Sequence, residues 1–189
     1  MRLFTAINLS NRSRKLLNDK IKILQDEIDQ QLKWVDPENW HITLKFLGDT
    51  SKEKAEEVKK DIAQIASSNK DFPVILNNIG AFPHLNHPKV LYAGVNQGSD
   101  ELAQLQERLE NKLYKRGYSR EDRSYTPHLT LARSRKNTNF NRLSNKLKKF
   151  AEKNHFIKIY FKADSISLMK SELTPHGPIY EEIFSKKFQ

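Results

Sequence analysis

Two short segments, His41-Ile42-Thr43-Leu44 and His128-Leu129-Thr130-Leu131, repeat one pattern nearly half a chain-length apart in a sequence of 189 residues. Polar and apolar residues alternate in both, which reads as the opening of a β-strand. Strand side chains point alternately to opposite faces, so the His and Thr of each segment project together, roughly 6.5–7 Å apart along the strand. Ile42, Leu44, Leu129 and Leu131 then point the other way, into a core. Each segment also sits between a preceding and a following helical pattern. The duplication predicts two similar lobes facing one another, each offering one imidazole and one hydroxyl.

The remaining periodicity fills in an α+β order. A strand runs from Leu3 to Leu9, followed by a helix over about 10–31 whose Leu17, Ile21, Leu24 and Ile28 form one apolar stripe. Pro37 makes the stretch from Trp34 to Trp40 loop-like. The first motif strand spans His41 to Leu47 and stops at Gly48, and Thr50 with Glu53 forms a capping box for a helix over 51–68. Strands near 72–79 and 90–95 flank a turn from Pro83 to Pro88. A helix marked by Leu102, Leu105, Leu109 and Leu113 ends at Gly117. The second motif strand covers His128 to Ala132, and Leu143, Leu147 and Phe150 mark a last helix. Strands at 156–161, 165–169 and 179–184 complete a single bilobal domain over residues 1–189.

Lys plus Arg number 33 against 23 Asp plus Glu, a formal net charge of +10, which favours a polyanionic partner, nucleic acid first. The absence of cysteine excludes disulfides, thiolate nucleophiles and cysteine-based metal sites. No apolar run approaches a membrane span, and the opening residues turn polar too soon for a signal peptide, so a soluble cytoplasmic protein is expected. With no large exposed apolar stripe, the expected state is a monomer.

Two histidines and two threonines on one polar face suit phosphate-ester chemistry. Histidine titrates near ~6.5, so one imidazole can accept a proton while the other donates one. The hydroxyls can donate to phosphate oxygens as negative charge grows. Paired histidines also read as zinc ligands, but the helical His-x-x-x-His is absent and no carboxylate repeats with the motif, so no metal and no cofactor is expected. His84 and His87 read as a metal pair or a solvated turn. With no further ligands in view, the turn is expected. His155 and His176 are expected to be structural or solvent-facing.

These residues resemble the 2H phosphoesterases, and in particular the RNA 2′,3′-cyclic phosphodiesterase (2′-5′ RNA ligase-like) family. The likeness runs through Met1-Arg2-Leu3-Phe4, Trp34-Val35 to Trp40, His41 to Gly48, Pro88 to Val95 and Pro127 to Arg133. The sequence departs from that family at the His84–His87 turn, where the family is often more basic. The resemblance implies two lobes, each an antiparallel sheet with helices on its outer face, and an active-site cleft between them. It implies hydrolysis of an RNA terminal 2′,3′-cyclic phosphate to a 2′-phosphomonoester, with His41 as proton donor and His128 as proton acceptor. Reverse ligation through a 2′-5′ bond belongs to the same expectation.

Further substrate contacts are expected from Arg133, Phe46, Lys45, Trp40 and Tyr125. Arg133 continues the second motif and could clamp phosphate, although strict alternation turns it away from His128 unless a bulge intervenes. Lys45 shares the His41 face by alternation. Phe46 belongs to the core by alternation, while the resemblance permits base stacking. Trp40 and Tyr125 read as stacking platforms or as covers for a core. The basic run Arg133, Arg135, Lys136, Arg142, Lys146, Lys148, Lys149 and Lys153 reads in part as an RNA track and in part as a solvated helix face. Two other functions compete. One is a phosphodiesterase acting on 2′-5′ oligonucleotides or small cyclic phosphates, and the other is a non-catalytic RNA-binding module.

Overall fold

A computed structural model describes residues 1–28, 31–152, 158–175 and 177–189. In chain order the elements are β1 (Arg2–Asn8), α1 (Asn11–Ile28), β2 (Leu32–Trp34), a 3-10 turn (Pro37–Asn39), β3 (His41–Asp49), α2 (Lys52–Ala66), β4 (Phe72–His84), β5 (His87–Val95), α3 (Ser99–Tyr114), β6 (His128–Ser134), α4 (Phe140–Glu152), β7 (Ile159–Ala163), β8 (Ser165–Thr174) and β9 (Gly177–Lys187). Among the described residues the strands make one curled antiparallel sheet in the order β7-β4-β5-β6-β3-β1-β8-β9, with β2 added against β6. The expected α+β class is the observed one.

The sheet has a seam. β3 and β6 join only through the pairing of Ile42 with Leu129, whereas every other neighbouring pair of strands shares several residues. On one side lie β3, β1, β8 and β9, against which α2 and α3 pack; on the other lie β6, β5, β4 and β7, against which α1 and α4 pack. The two lobes are therefore real, but they are not the two halves of the sequence. The units α1–β3–α2 and α3–β6–α4 repeat along the chain. In each, the helix before the motif strand packs beneath the opposite lobe, α1 on β7 and α3 on β3.

The apolar stripes read from the sequence face the core: Leu17, Ile21, Leu24 and Ile28 of α1 and Leu102, Leu105, Leu109 and Leu113 of α3 are all buried. Each such side chain contributes about 1.5–3 kcal/mol of burial energy. Several boundaries move. The helix expected over about 10–31 is described as Asn11–Ile28, with residues 29 and 30 outside the described residues, and Leu32 to Trp34 form a strand on β6 in place of the start of a loop. The cap of α2 is Ser51, whose hydroxyl accepts from the Lys54 N–H at 3.2 Å, and not Thr50, whose hydroxyl donates to the Gly48 carbonyl at 3.3 Å. β4 and β5 pair as far as His84 with His87, which leaves only Leu85 and Asn86 as the turn. The His87 ring lies on that of Phe140, with centroids 3.8 Å apart. His155, His176 and Lys153 lie outside the described residues.

Ile42 is fully buried at the seam. Replacing it with Ala removes that packing where the lobes meet, so Ile42→Ala is expected to lower unfolding stability by about 2–5 kcal/mol in a urea titration.

Candidate active site

The Ile42–Leu129 pairing brings the two motifs side by side. With β3 and β6 antiparallel about that pair, His41 lies across from Thr130 and Thr43 across from His128, all four on one face. Beneath them Ile42, Leu44, Leu129 and Leu131 are buried, as alternation requires. The sequence pattern leaves open whether the two strands are neighbours, and they are.

Each imidazole is held in the same way. His41 Nδ1 lies 2.8 Å from the Asn39 carbonyl oxygen, and His128 Nδ1 lies 2.7 Å from that of Thr126. A carbonyl can only accept, so each Nδ1 carries the proton and Nε2 remains the exchangeable nitrogen. His41 Nε2 is 3.0 Å from Thr43 Oγ1, which donates to the neutral ring. Aromatic rings wall both sites: Phe4 and Tyr180 lie 4.8 and 5.3 Å from His41, and Phe82 and Tyr92 lie 4.9 and 5.3 Å from His128. Burial lowers the His41 pKa from 6.5 to about 4, with a smaller push from the charge of His128. Burial also lowers His128, helped by nearby Arg133.

A bulge follows each motif, and the two are equivalent. Against β1, Thr43 pairs with Ala6 and Lys45 with Thr5, so Leu44 is an extra residue; against β5, Thr130 pairs with Tyr92 and Ala132 with Leu91, so Leu131 is extra. After each bulge the alternation has slipped by one. Phe46 and Arg133 thereby come to the histidine face. Phe46 is 63% exposed, its ring 5.9 Å from that of Phe4, and Arg133 is exposed and acts on His128. Arg133 thus has the bulge that alternation demanded, and Phe46 is outside the core that alternation assigned it.

Three expected contacts sit elsewhere. Lys45 is buried and not on the His41 face: its ammonium donates to Glu110 Oε1 and to the Ser119 carbonyl, both at 2.8 Å. The slipped register drives it inward, and a buried lysine needs such partners. Trp40 is only 2% exposed and belongs to the core. Tyr125 packs partly against the core and donates its hydroxyl to the Thr43 carbonyl at 3.0 Å, which ties the segment before His128 to β3. Burial pushes its phenol pKa upward.

The site also holds residues that the sequence pattern did not single out. Tyr180 comes from the β8–β9 hairpin, whose Pro178 carbonyl accepts from the Asn39 side chain at 3.1 Å. Asn8, opposite His41 on β1, donates to Glu182 Oε2 at 2.9 Å and to Ser167 Oγ at 3.1 Å. Alternation along β1 puts Phe4, Ala6 and Asn8 on one face, a usable signal. Gly80 is a second one, since a Cβ there would collide with the Tyr92 ring.

Comparison with known proteins places the chain in a family. Residues 22–175 match the 2′-5′ RNA ligase superfamily. The chain belongs to that superfamily. Among its curated relatives are RNA 2′,3′-cyclic phosphodiesterases of Methanocaldococcus jannaschii, 34% identical over 97% of this chain and 98% of that protein, and of Thermotoga maritima, 30% identical over 100% and 96%. Proteins of known structure share the fold. A Thermus thermophilus protein aligns with a TM-score of 0.79 at 23% identity, covering 100% of this chain and 98% of its own. Escherichia coli LigT complexed with 3′-AMP gives 0.73 at 23% identity, covering 99% and 97%.

The folded His41 pKa lies below its unfolded value near 6.5. Its contribution to stability is therefore complete above pH 6.5 and is lost as the pH falls toward 4. The melting temperature should drop across that window, and His41→Gln should flatten the drop in a series of thermal scans.

Proposed function

We propose that this chain is an RNA 2′,3′-cyclic phosphodiesterase that leaves a 2′-phosphomonoester, with His41 and His128 as its acid and base. The observation that carries the reading is the matched pair of imidazoles on one face, each with Nδ1–H given to a backbone carbonyl and Nε2 left to move a proton.

In this reading the cyclic phosphate sits over the four motif side chains. Water attacks phosphorus and passes a proton to His128 Nε2. The bond from phosphorus to the 3′ oxygen breaks, and protonated His41 gives that oxygen its Nε2 proton. The products are a 2′-phosphomonoester and a free 3′ hydroxyl, and one proton moves from the base to the acid before the next turnover. Burial by itself holds His41 neutral. An arriving phosphate anion opposes that effect, so the acid takes up its proton together with the substrate. Thr43 and Thr130 supply hydroxyl donors to the phosphate oxygens, and Arg133 a guanidinium at the rim. Phe46, exposed on the same face, offers its ring to the terminal base.

The deciding assay follows the end group of a short RNA carrying a 2′,3′-cyclic phosphate, in excess EDTA. Wild type should yield a 2′-phosphate, and His41→Ala and His128→Ala should each lose on the order of 10²–10⁴ in kcat. Retained turnover in either variant would sink the two-histidine mechanism. Inactivity of wild type with RNA affinity intact would favour a binding module, and preference for a 2′-5′ linked dinucleotide would favour that alternative substrate.

The same machinery accommodates ligation, because a 5′ hydroxyl can take the place of water: it attacks phosphorus and gives its proton to His128, while the bond to the 3′ oxygen breaks and His41 protonates that oxygen. RNA halves ending in a 2′,3′-cyclic phosphate and a 5′ hydroxyl should be joined through a 2′-5′ bond. Absence of any joined product on a denaturing gel removes the ligation reading.

A further inference from the structure

β2 is three residues long, and its middle residue has a cost that the fold does not explain. Lys33 pairs directly with Arg133 across the β2–β6 ladder, so two cations share one face of adjacent strands. Like charges in that position are destabilising. Leu32 beside it is buried, which turns Lys33 to the opposite, open side. Among the described residues neither Lys33 nor Arg133 has a carboxylate partner within ion-pair distance.

That open side is the histidine side. Arg133 reaches it through the bulge at Leu131 and acts on both His128 and the Tyr180 phenol. The Lys33 ammonium leans toward the start of β9, 3.7 Å from where a Cβ on Gly177 would sit. Arg135 prolongs the row: its N–H bonds to the Gln31 carbonyl at 3.1 Å, which continues the ladder, and it lies two residues beyond Arg133 and is exposed. Three cations thus lead away from the four motif side chains along one end of the cleft. Phe46 stands beyond Thr43, toward the other end.

We propose that Lys33, with Arg133 and Arg135, forms a track for the phosphodiester backbone of RNA on the 5′ side of the reacting end, and that this track makes the preferred substrate an oligonucleotide and not a cyclic mononucleotide. The inference rests on the cyclic-phosphodiesterase reading above and extends it. Arg133, nearest the histidines, serves the reacting phosphate. Lys33, one strand spacing of about 4.8 Å farther out, serves the next. Two successive phosphates offset the unfavourable Lys33–Arg133 approach, each cation making a charge-assisted hydrogen bond to its own phosphate.

The test compares kcat/KM on a trinucleotide ending in a 2′,3′-cyclic phosphate with that on a cyclic mononucleotide, for wild type and for Lys33→Ala, Lys33→Glu and Lys33→Arg. The trinucleotide-to-mononucleotide ratio should fall on the order of tenfold in Lys33→Ala, further in Lys33→Glu, and stay near wild type in Lys33→Arg. A second measurement follows binding of the 2′-phosphate trinucleotide across salt concentrations. Lys33→Ala should reduce the logarithmic salt slope by about 0.7, the loss of one single-strand phosphate contact. Turnover of the mononucleotide shows that each variant is folded. Equal effects of the substitutions on both substrates, or an unchanged salt slope, overturn the track. Wild type inactive on both substrates overturns the cyclic-phosphodiesterase reading instead, and the salt slope alone then decides whether the cations hold RNA.

Discussion

The site depends on one strand contact, the pairing of Ile42 with Leu129. Four apolar residues beneath it, Ile42, Leu44, Leu129 and Leu131, are driven out of water into a common core. Their burial fixes which way the intervening His and Thr residues point. Antiparallel pairing then sets each His opposite the Thr of the other motif. No loop has to find its place to assemble the four polar groups; the hydrophobic effect acting on alternate positions of two strands aligns the positions between them.

Polar contacts hold this arrangement against the tendency of so open a seam to splay. Lys45 and Glu110 bury an ion pair under β3, and the same carboxylate accepts the Glu121 N–H at 3.0 Å while the ammonium donates to the Ser119 carbonyl. Both ends of the segment that leads to His128 are thus fastened to β3, one through this cluster and the other through the hydroxyl of Tyr125 on the Thr43 carbonyl. A charge pair so deep stabilises little by itself, since desolvation offsets most of its attraction. Its effect is on position: removing either partner leaves the other buried and unsatisfied.

The motifs, the amphipathic helices and the two-lobed α+β class could all be read from local pattern, because alternation and helical stripes are written in consecutive residues. What escaped was set by partners far along the chain. A bulge is defined by the neighbouring strand, so the slip at Leu44 that buries Lys45 and exposes Phe46 leaves no mark within His41 to Gly48. The equivalent slip at Leu131 could be argued only because Arg133 is out of place without it. Trp40 has two readings, a stacking platform or a cover for the core, because loop aromatics next to a motif do either, and burial chooses the second. Tyr180 lies too far from either motif in sequence to be connected with His41; the long β8–β9 hairpin carries it there, with Asn39 holding both the hairpin and the imidazole.

The exchange of helices between lobes has a mechanical consequence. Because α1 and α3 each lie under the lobe opposite the strand they precede, the backbone laces back and forth across the seam from β1 to β9. No single cut in the chain releases a complete lobe. Loosening either side pulls on tethers anchored in the other, so the two lobes are built to melt together. A surface joined by one strand pairing is in this way given the stiffness of a stitched joint.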